Sequence, residues 1–404
     1  MATATEAPRT TVGVPGRSVL SNFASPKAIA IAVAVIAAIG WVYVVPEYYV
    51  FLGGAACILA VAALGLTVVV GWAGEVSLAQ AGIAGAVVYL AAYAQRADGW
   101  GWPYLAAAAF GVALAIALSA VIALPTAKLS GMYVMVLTLG LQITLERSIF
   151  GRNSLTGGGQ VIQVNRPSIF GLSVESDKGF YFFCLLIMVG VIIVLDRFRD
   201  SRHGRAMTLV KTDRRAASAM GISPYRYKIL AFLIAGFCAG VAGLLFILLY
   251  RTPPTLFQFQ AFQSLFYLAI PVVAGFESLV AVALVALLFT LMPQWLATIS
   301  SQSTISAGVG AGSHGLTFSP YLIGGVGLIF GTLIIGPRGA GGRILDLLRA
   351  RRINRSLERY AQLVDSGKRT EEAEQEVQPS SNGTVDLRVG ANGEMAVMDS
   401  EGRR

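Results

Sequence analysis

Long apolar runs separated by short polar stretches recur along most of this chain, and their lengths predict helices of membrane-spanning size. A run of roughly 18 or more apolar residues can cross a bilayer as a helix. Ten segments fit or approach that pattern: 28–45, 50–70, 77–95, 103–124, 131–149, 179–196, 228–250, 262–275, 279–299 and 318–336. The 262–275 segment is short for a span and fits a re-entrant piece as well, which is tolerable only where protein covers its backbone. The predicted fold class is all-α: a polytopic membrane protein with about ten transmembrane helices.

Composition agrees with that reading. Hydrophobic residues make up 55% of the chain and charged residues 13%, where a soluble domain carries about 25% charged. Cys57, Cys184 and Cys238 all fall inside apolar runs, with no metal-ligand spacing and no disulfide framework, so they read as small packing residues. Residues 1–26 are polar and lack the compact apolar core of a signal peptide.

The net charge of +9 matters through its placement. The loop 197–227 carries Arg197, Arg199, Arg202, Arg205, Lys211, Arg214, Arg215 and Arg226. The stretch after the last apolar run adds Arg338, Arg343, Arg349, Arg351, Arg352 and Arg355. The opposite loops near 46–49, 251–261 and 300–317 hold only Arg251. Basic residues accumulate on the cytoplasmic side of a membrane protein, so both termini and the 197–227 loop are expected there. Three regions follow: a polar cytoplasmic arm at 1–27, a membrane body at 28–337, and a basic segment with a tail at 338–404. The tail has too few apolar residues for a core and reads as disordered. The charge gathers at the membrane face, which points to lipid and gives no support for a nucleic-acid partner.

Residues 211–222, KTDRRAASAMGI, interrupt the basic loop with helix signals. Thr212 suits an N-cap and Asp213 a first turn, where the helix dipole favours negative charge. Gly221 suits the left-handed position that ends a helix, and Pro224 follows. A two-turn helix over 213–220 is marginal alone in water and needs a docking surface. Ala216, Ala217, Ala219 and Gly221 let a neighbour approach the backbone closely, and Met220 adds an adaptable apolar contact.

The wider stretch 201–243, SRHGRAMTLVKTDRRAASAMGISPYRYKILAFLIAGFCAGVAG, resembles the cytoplasmic coupling loop and following helix of permease subunits of ABC importers for branched-chain amino acids, most closely the M-type. Ser201, Gly204, Arg205 and Ala206 match its opening. Asp213, Ala216, Ala217, Gly221 and Ile222 match its core, and Tyr227, Lys228, Ala239, Gly240 and Gly243 match the following helix. A second stretch, 65–93, matches through Gly71, Ala73, Gly74, Ser77 and Leu78, with Glu75 where the family usually has Gln. A third, 129–159, matches through Gly131, Tyr133, Thr138, Leu139 and Leu155-Thr156-Gly157-Gly158. A looser fourth, 272–279, matches through Gly275, Ser278 and Leu279.

The resemblance implies a permease subunit in a bacterial plasma membrane. Separate ATPase subunits would grip the coupling helix through Asp213, Ala216, Ala217, Met220 and Gly221, with Arg205 in the preceding turn. A related permease subunit would complete a heterodimer, and an extracytoplasmic solute-binding protein would deliver the solute, meeting the 150–178 loop. The implied substrate is a branched-chain amino acid, with urea, short amides and other small polar solutes still open. Ser77, Gln80, Thr138 and Gln142 are candidates for the translocation path, because amide and hydroxyl groups at membrane depth usually face protein or water. Glu75 fits either that role or a solvated position at the interface. No cofactor is expected in this chain. It lacks the Gly-x-x-x-x-Gly-Lys-[Ser/Thr] phosphate loop, so ATP would be used by the partner subunits. No metal site or catalytic arrangement is visible. The competing reading is an ion-coupled secondary transporter, which would need acids buried in its spans, Glu277 being the main candidate.

Overall fold

A computed structural model of the chain describes residues 38–95, 99–129, 131–150, 152, 176–250, 259–276, 278–302, 387–389 and 395–397. The helices are α1 (Glu47–Leu66), α2 (Gln80–Gln95), α3 (Tyr104–Thr126), α4 (Met132–Leu145), α5 (Asp177–Asp200), α6 (Arg202–Thr212), α7 (Arg214–Ala219), α8 (Pro224–Tyr250), α9 (Ala261–Ala274) and α10 (Leu279–Gln302). Residues 38–44 are also helical. α1 and α4 each run on into a π-helical segment, Thr67–Trp72 and Glu146–Phe150. Helices appear at each of the expected spans between 50 and 299, close to the predicted limits, and among the described residues five of them are long and apolar enough to cross a membrane: Glu47–Trp72, Tyr104–Thr126, Met132–Phe150, Asp177–Asp200 and Pro224–Tyr250. The span at 318–336, most of the one at 28–45, the arm and nearly all of the 150–178 loop lie outside the described residues, as do Glu277 and Leu155-Thr156-Gly157-Gly158.

Two units separate along the chain, Met1–Gly342 and Arg343–Arg404. In the second, β1 (Leu387–Val389) pairs antiparallel with β2 (Met395–Val397), Arg388 standing opposite Ala396. The rest of the tail lies outside the described residues.

In the first unit α8 is the central post, packed against α1, α2 and α3, while α1 also packs on α5 and α10. Small residues set the closeness of these crossings. A methyl group on Gly236 would overlap the Ser119 hydroxyl of α3, and one on Gly243 would stand 2.6 Å from the Ala84 carbonyl oxygen of α2. The glycines at 236, 240 and 243 therefore serve helix packing, and Cys57, Cys184 and Cys238 are buried within it.

Two helices are short. α2 has 16 residues and only Leu90, Tyr93 and Gln95 escape full burial. α9 has 14 residues with Pro271 inside, about 21 Å of helix against roughly 30 Å of bilayer hydrocarbon. α9 packs against α1, α2, α4 and α10, with Ser264, Tyr267, Ile270 and Val273 buried and Leu265 and Val272 exposed. Together α2 and α9 bring irregular backbone to the inside of the helix bundle, where the site lies.

Candidate functional site

The polar loop begins with a corner. Ser201 caps α6, its hydroxyl accepting from the Gly204 amide at 3.3 Å and donating to the Phe198 carbonyl at 2.6 Å. A side chain at position 204 would strike the Phe198 and Arg199 carbonyls, so only glycine fits. Arg205 donates to the Asp200 carbonyl at 2.6 Å and closes the end of α5. The Ser-x-x-Gly-Arg pattern is thus a helix-to-helix corner, and Arg205 is structural within it.

α7 follows as a capped peg. Its N-cap is Asp213, not Thr212 as expected. The Asp213 carboxylate accepts from the Arg215 amide at 2.8 Å and the Ala216 amide at 3.1 Å. Thr212 ends α6 instead, its hydroxyl returning to the Thr208 carbonyl at 3.0 Å. At the other end Gly221 takes φ +77°. Its amide donates to Ser218 O and the Ile222 amide to Ala217 O, both at 3.0 Å, the paired bonds of a Schellman stop. Gly221→Val should cost about 1–2 kcal/mol at this left-handed position, read as faster amide exchange at positions 221 and 222. Ala217 points inward and is fully buried, Ala216 is half-buried, and Arg215, Ser218, Ala219 and Met220 face out. Met220 is 69% exposed. Ala217, expected to meet a partner, instead packs within its own chain.

Beneath α7 lies a break in the membrane body. α1 ends through its π turn, Trp72 stacking on Phe198, and residues 73–79 run without helix into α2. Gly74 makes the bend at φ +72°. Three cations converge on this stretch. Lys211 of α6 donates to the Gly71 carbonyl at 2.7 Å and lies over the Phe276 ring. Arg214 of α7 reaches Glu75 Oε1 at 2.6 Å, and Lys228 of α8 reaches the same oxygen at 2.5 Å. Lys228 also donates to the Leu129 carbonyl at 2.8 Å, in the turn between α3 and α4. Glu75 is 1% exposed and Lys228 2%. Glu75 is therefore a buried, doubly paired carboxylate, and its alternative reading as a solvated interfacial residue is corrected.

The start of α2 is held by side chains from two other helices. The Thr138 hydroxyl of α4 accepts from the Leu78 amide at 3.0 Å. Gln142 Oε1 accepts from the Gly82 amide at 2.6 Å and from the Ser264 hydroxyl of α9 at 3.1 Å, while Gln142 Nε2 donates to the Phe259 carbonyl at 2.7 Å. Ser264 in turn accepts from the Ala81 amide at 3.3 Å. Gln80 donates to the Ala62 and Ala235 carbonyls, each at 3.1 Å. The free amides at a helix start need such partners when buried, and here protein supplies them in place of water.

A family model for the permease component of branched-chain amino acid transport systems matches residues 48–309, a span that contains α2 to α10 and all of α1 but its first residue. The chain belongs to that family. Among curated proteins, this permease is similar to the high-affinity branched-chain amino acid transport system permease protein LivM of Escherichia coli, 28% identical over 297 residues, covering 67% of this chain and 69% of the relative. The LivM protein of Salmonella typhimurium is similar to the same degree. No solved structure matches the chain significantly. The membership makes it a multi-pass permease subunit of an ABC importer and does not favour the ion-coupled carrier.

Within the permease, Ser77, Gln80, Thr138 and Gln142, the path candidates, lie around the start of α2. All four are buried, and the polar groups of Gln80, Thr138 and Gln142 are engaged within the protein, so in this conformation they hold α2 in place. Asp213, Ala216, Ala217, Met220 and Gly221 form one small element, with Arg205 in the corner before it. Sequence reasoning missed Ser264, Lys211 and the Arg214–Glu75 pair. A signal for the pair existed: a lone carboxylate where the family has an amide, in an otherwise apolar stretch, calls for a cation.

Proposed function

We propose that this permease forms one half of the membrane path of an importer in the bacterial plasma membrane, that cytosolic ATPase subunits seat α7, and that the imported solute is a branched-chain amino acid. The observation that carries the docking is α7 itself, a six-residue helix closed at both ends and presenting Met220 outward. A helix so short is not stable in isolation, and its inner face already rests on the chain through Ala217, leaving the outer face for a partner. The basic residues of the loop orient it to the cytoplasm and complement an acidic rim. A second, related permease subunit completes the path, and an extracytoplasmic binding protein delivers solute. ATP is consumed by the ATPase subunits and no cofactor is bound by this chain. The substrate follows from the names of the relatives.

Met220→Glu is the direct check. Loss of an interface anchor of about 2 kcal/mol corresponds to roughly thirtyfold weaker binding. The variant should insert normally, lose most of its co-purifying ATPase, and lose uptake of labelled leucine. Full uptake by Met220→Glu would remove the docking proposal. Uptake of urea or a short amide with none of leucine would remove the substrate.

A further inference from the structure

We infer that Glu75 is the positioning residue through which movement of α7 reaches the chain break ahead of α2. The inference rests on the proposal that ATPase subunits seat α7, and adds the route by which that contact acts inside the membrane body.

Neutralising Glu75 does not require Arg214. Lys228 is buried beside the carboxylate, contacts the same Oε1 and is itself held by the Leu129 carbonyl. Arg214 is a second cation on an oxygen already paired. It stands directly after the N-cap of α7, where a positive charge is opposed by the helix dipole, and its side chain remains 45% exposed. That placement makes little sense for stability alone. It makes sense as a link, because it is the side-chain bond from the exposed peg to the buried break. Glu75 Oε2, buried, accepts no hydrogen bond among the described residues, so the carboxylate is fixed through the one oxygen that both cations share.

From Glu75 the chain runs three residues to Leu78, whose amide sits on Thr138, and on to the amides of Ala81 and Gly82, held by Ser264 and Gln142. A displacement of α7 that carries Arg214 with it therefore acts on the segment that sets α2 against α4 and α9. Lys211 braces the start of the same segment at Gly71, so the pull falls between a fixed end and the start of α2.

The experiment uses the complete transporter, with both permeases, ATPase subunits and binding protein, in proteoliposomes, and measures solute imported per ATP hydrolysed. Arg214→Gln breaks the link on its exposed side and leaves the Glu75–Lys228 pair intact. It should lower that ratio at least about fivefold, the lower end of coupling between linked sites. Arg214→Lys should restore part of it, and Glu75→Gln added to Arg214→Gln should lower it no further. A purely structural role would reduce the amount of assembled complex and leave the ratio at the wild-type value, which would overturn the inference. Failure of the wild-type complex to import on adding ATP would overturn the docking proposal, and this route with it.

Discussion

Glu75→Ala should destabilise the protein by about 3–5 kcal/mol, the usual loss when one partner of a buried ion pair is removed. The cost comes from what is left behind. Lys228 is 2% exposed and would keep one neutral partner, the Leu129 carbonyl, around a full positive charge. Arg214 contributes little to the loss, because its half-exposed side chain can turn to water. The sharper expectation concerns the double variant. Replacing a buried pair by apolar residues of similar volume is often neutral or stabilising. Glu75→Leu with Lys228→Met should therefore recover most of the stability that Glu75→Ala loses. Thermal unfolding midpoints of the solubilised permease and its variants check both statements. A Glu75→Ala protein as stable as wild type would mean that the charge of Lys228 is solvated, contrary to its burial.

The same cluster shows what a sequence can and cannot display. The spans were legible because a bilayer demands a fixed length of apolar helix, so the limits of α3, α5, α8 and α10 are written in composition. The corner and stop of the loop ahead of α8 were legible because caps are local. Gly221 before Ile222 and Pro224 specifies its backbone almost alone. The N-cap shifted by one residue because Thr212 and Asp213 are both competent, and the choice depended on α6 running to Thr212 without a breaker. The inner face of α7 was not legible at all. Six residues are too few for a periodic pattern, and an alanine reads alike whether it meets its own chain or another. Non-local pairs were hidden for a different reason. Arg214 and Glu75 lie 139 positions apart, and no short-range rule joins a loop cation to an acid ahead of a distant helix. The path candidates were found by their polarity, yet polarity does not distinguish a group facing solute from one capping a buried helix start.

Gln142 brings that distinction to a test. Its side chain serves three buried groups, the Gly82 amide, the Ser264 hydroxyl and the Phe259 carbonyl. Gln142→Ala strands all three, at about 1–3 kcal/mol for each unsatisfied group. Ser264 can rotate to a new acceptor, which leaves two stranded groups and an expected total of roughly 2–6 kcal/mol. Part of the loss in the alanine variant is volume, since the amide packs directly on Gly82 with no room for a side chain there. Gln142→Met keeps most of the volume and removes the polarity, so the difference between the two variants isolates the packing share. If the hydrogen bonds dominate, both unfold at clearly lower temperature than wild type, and amide exchange at positions 81 and 82 quickens in both. If Gln142 were instead a group facing the solute, Gln142→Met would unfold like wild type and lose import alone. The geometry, with every polar atom of the side chain committed to backbone or hydroxyl within the bundle, favours the first result.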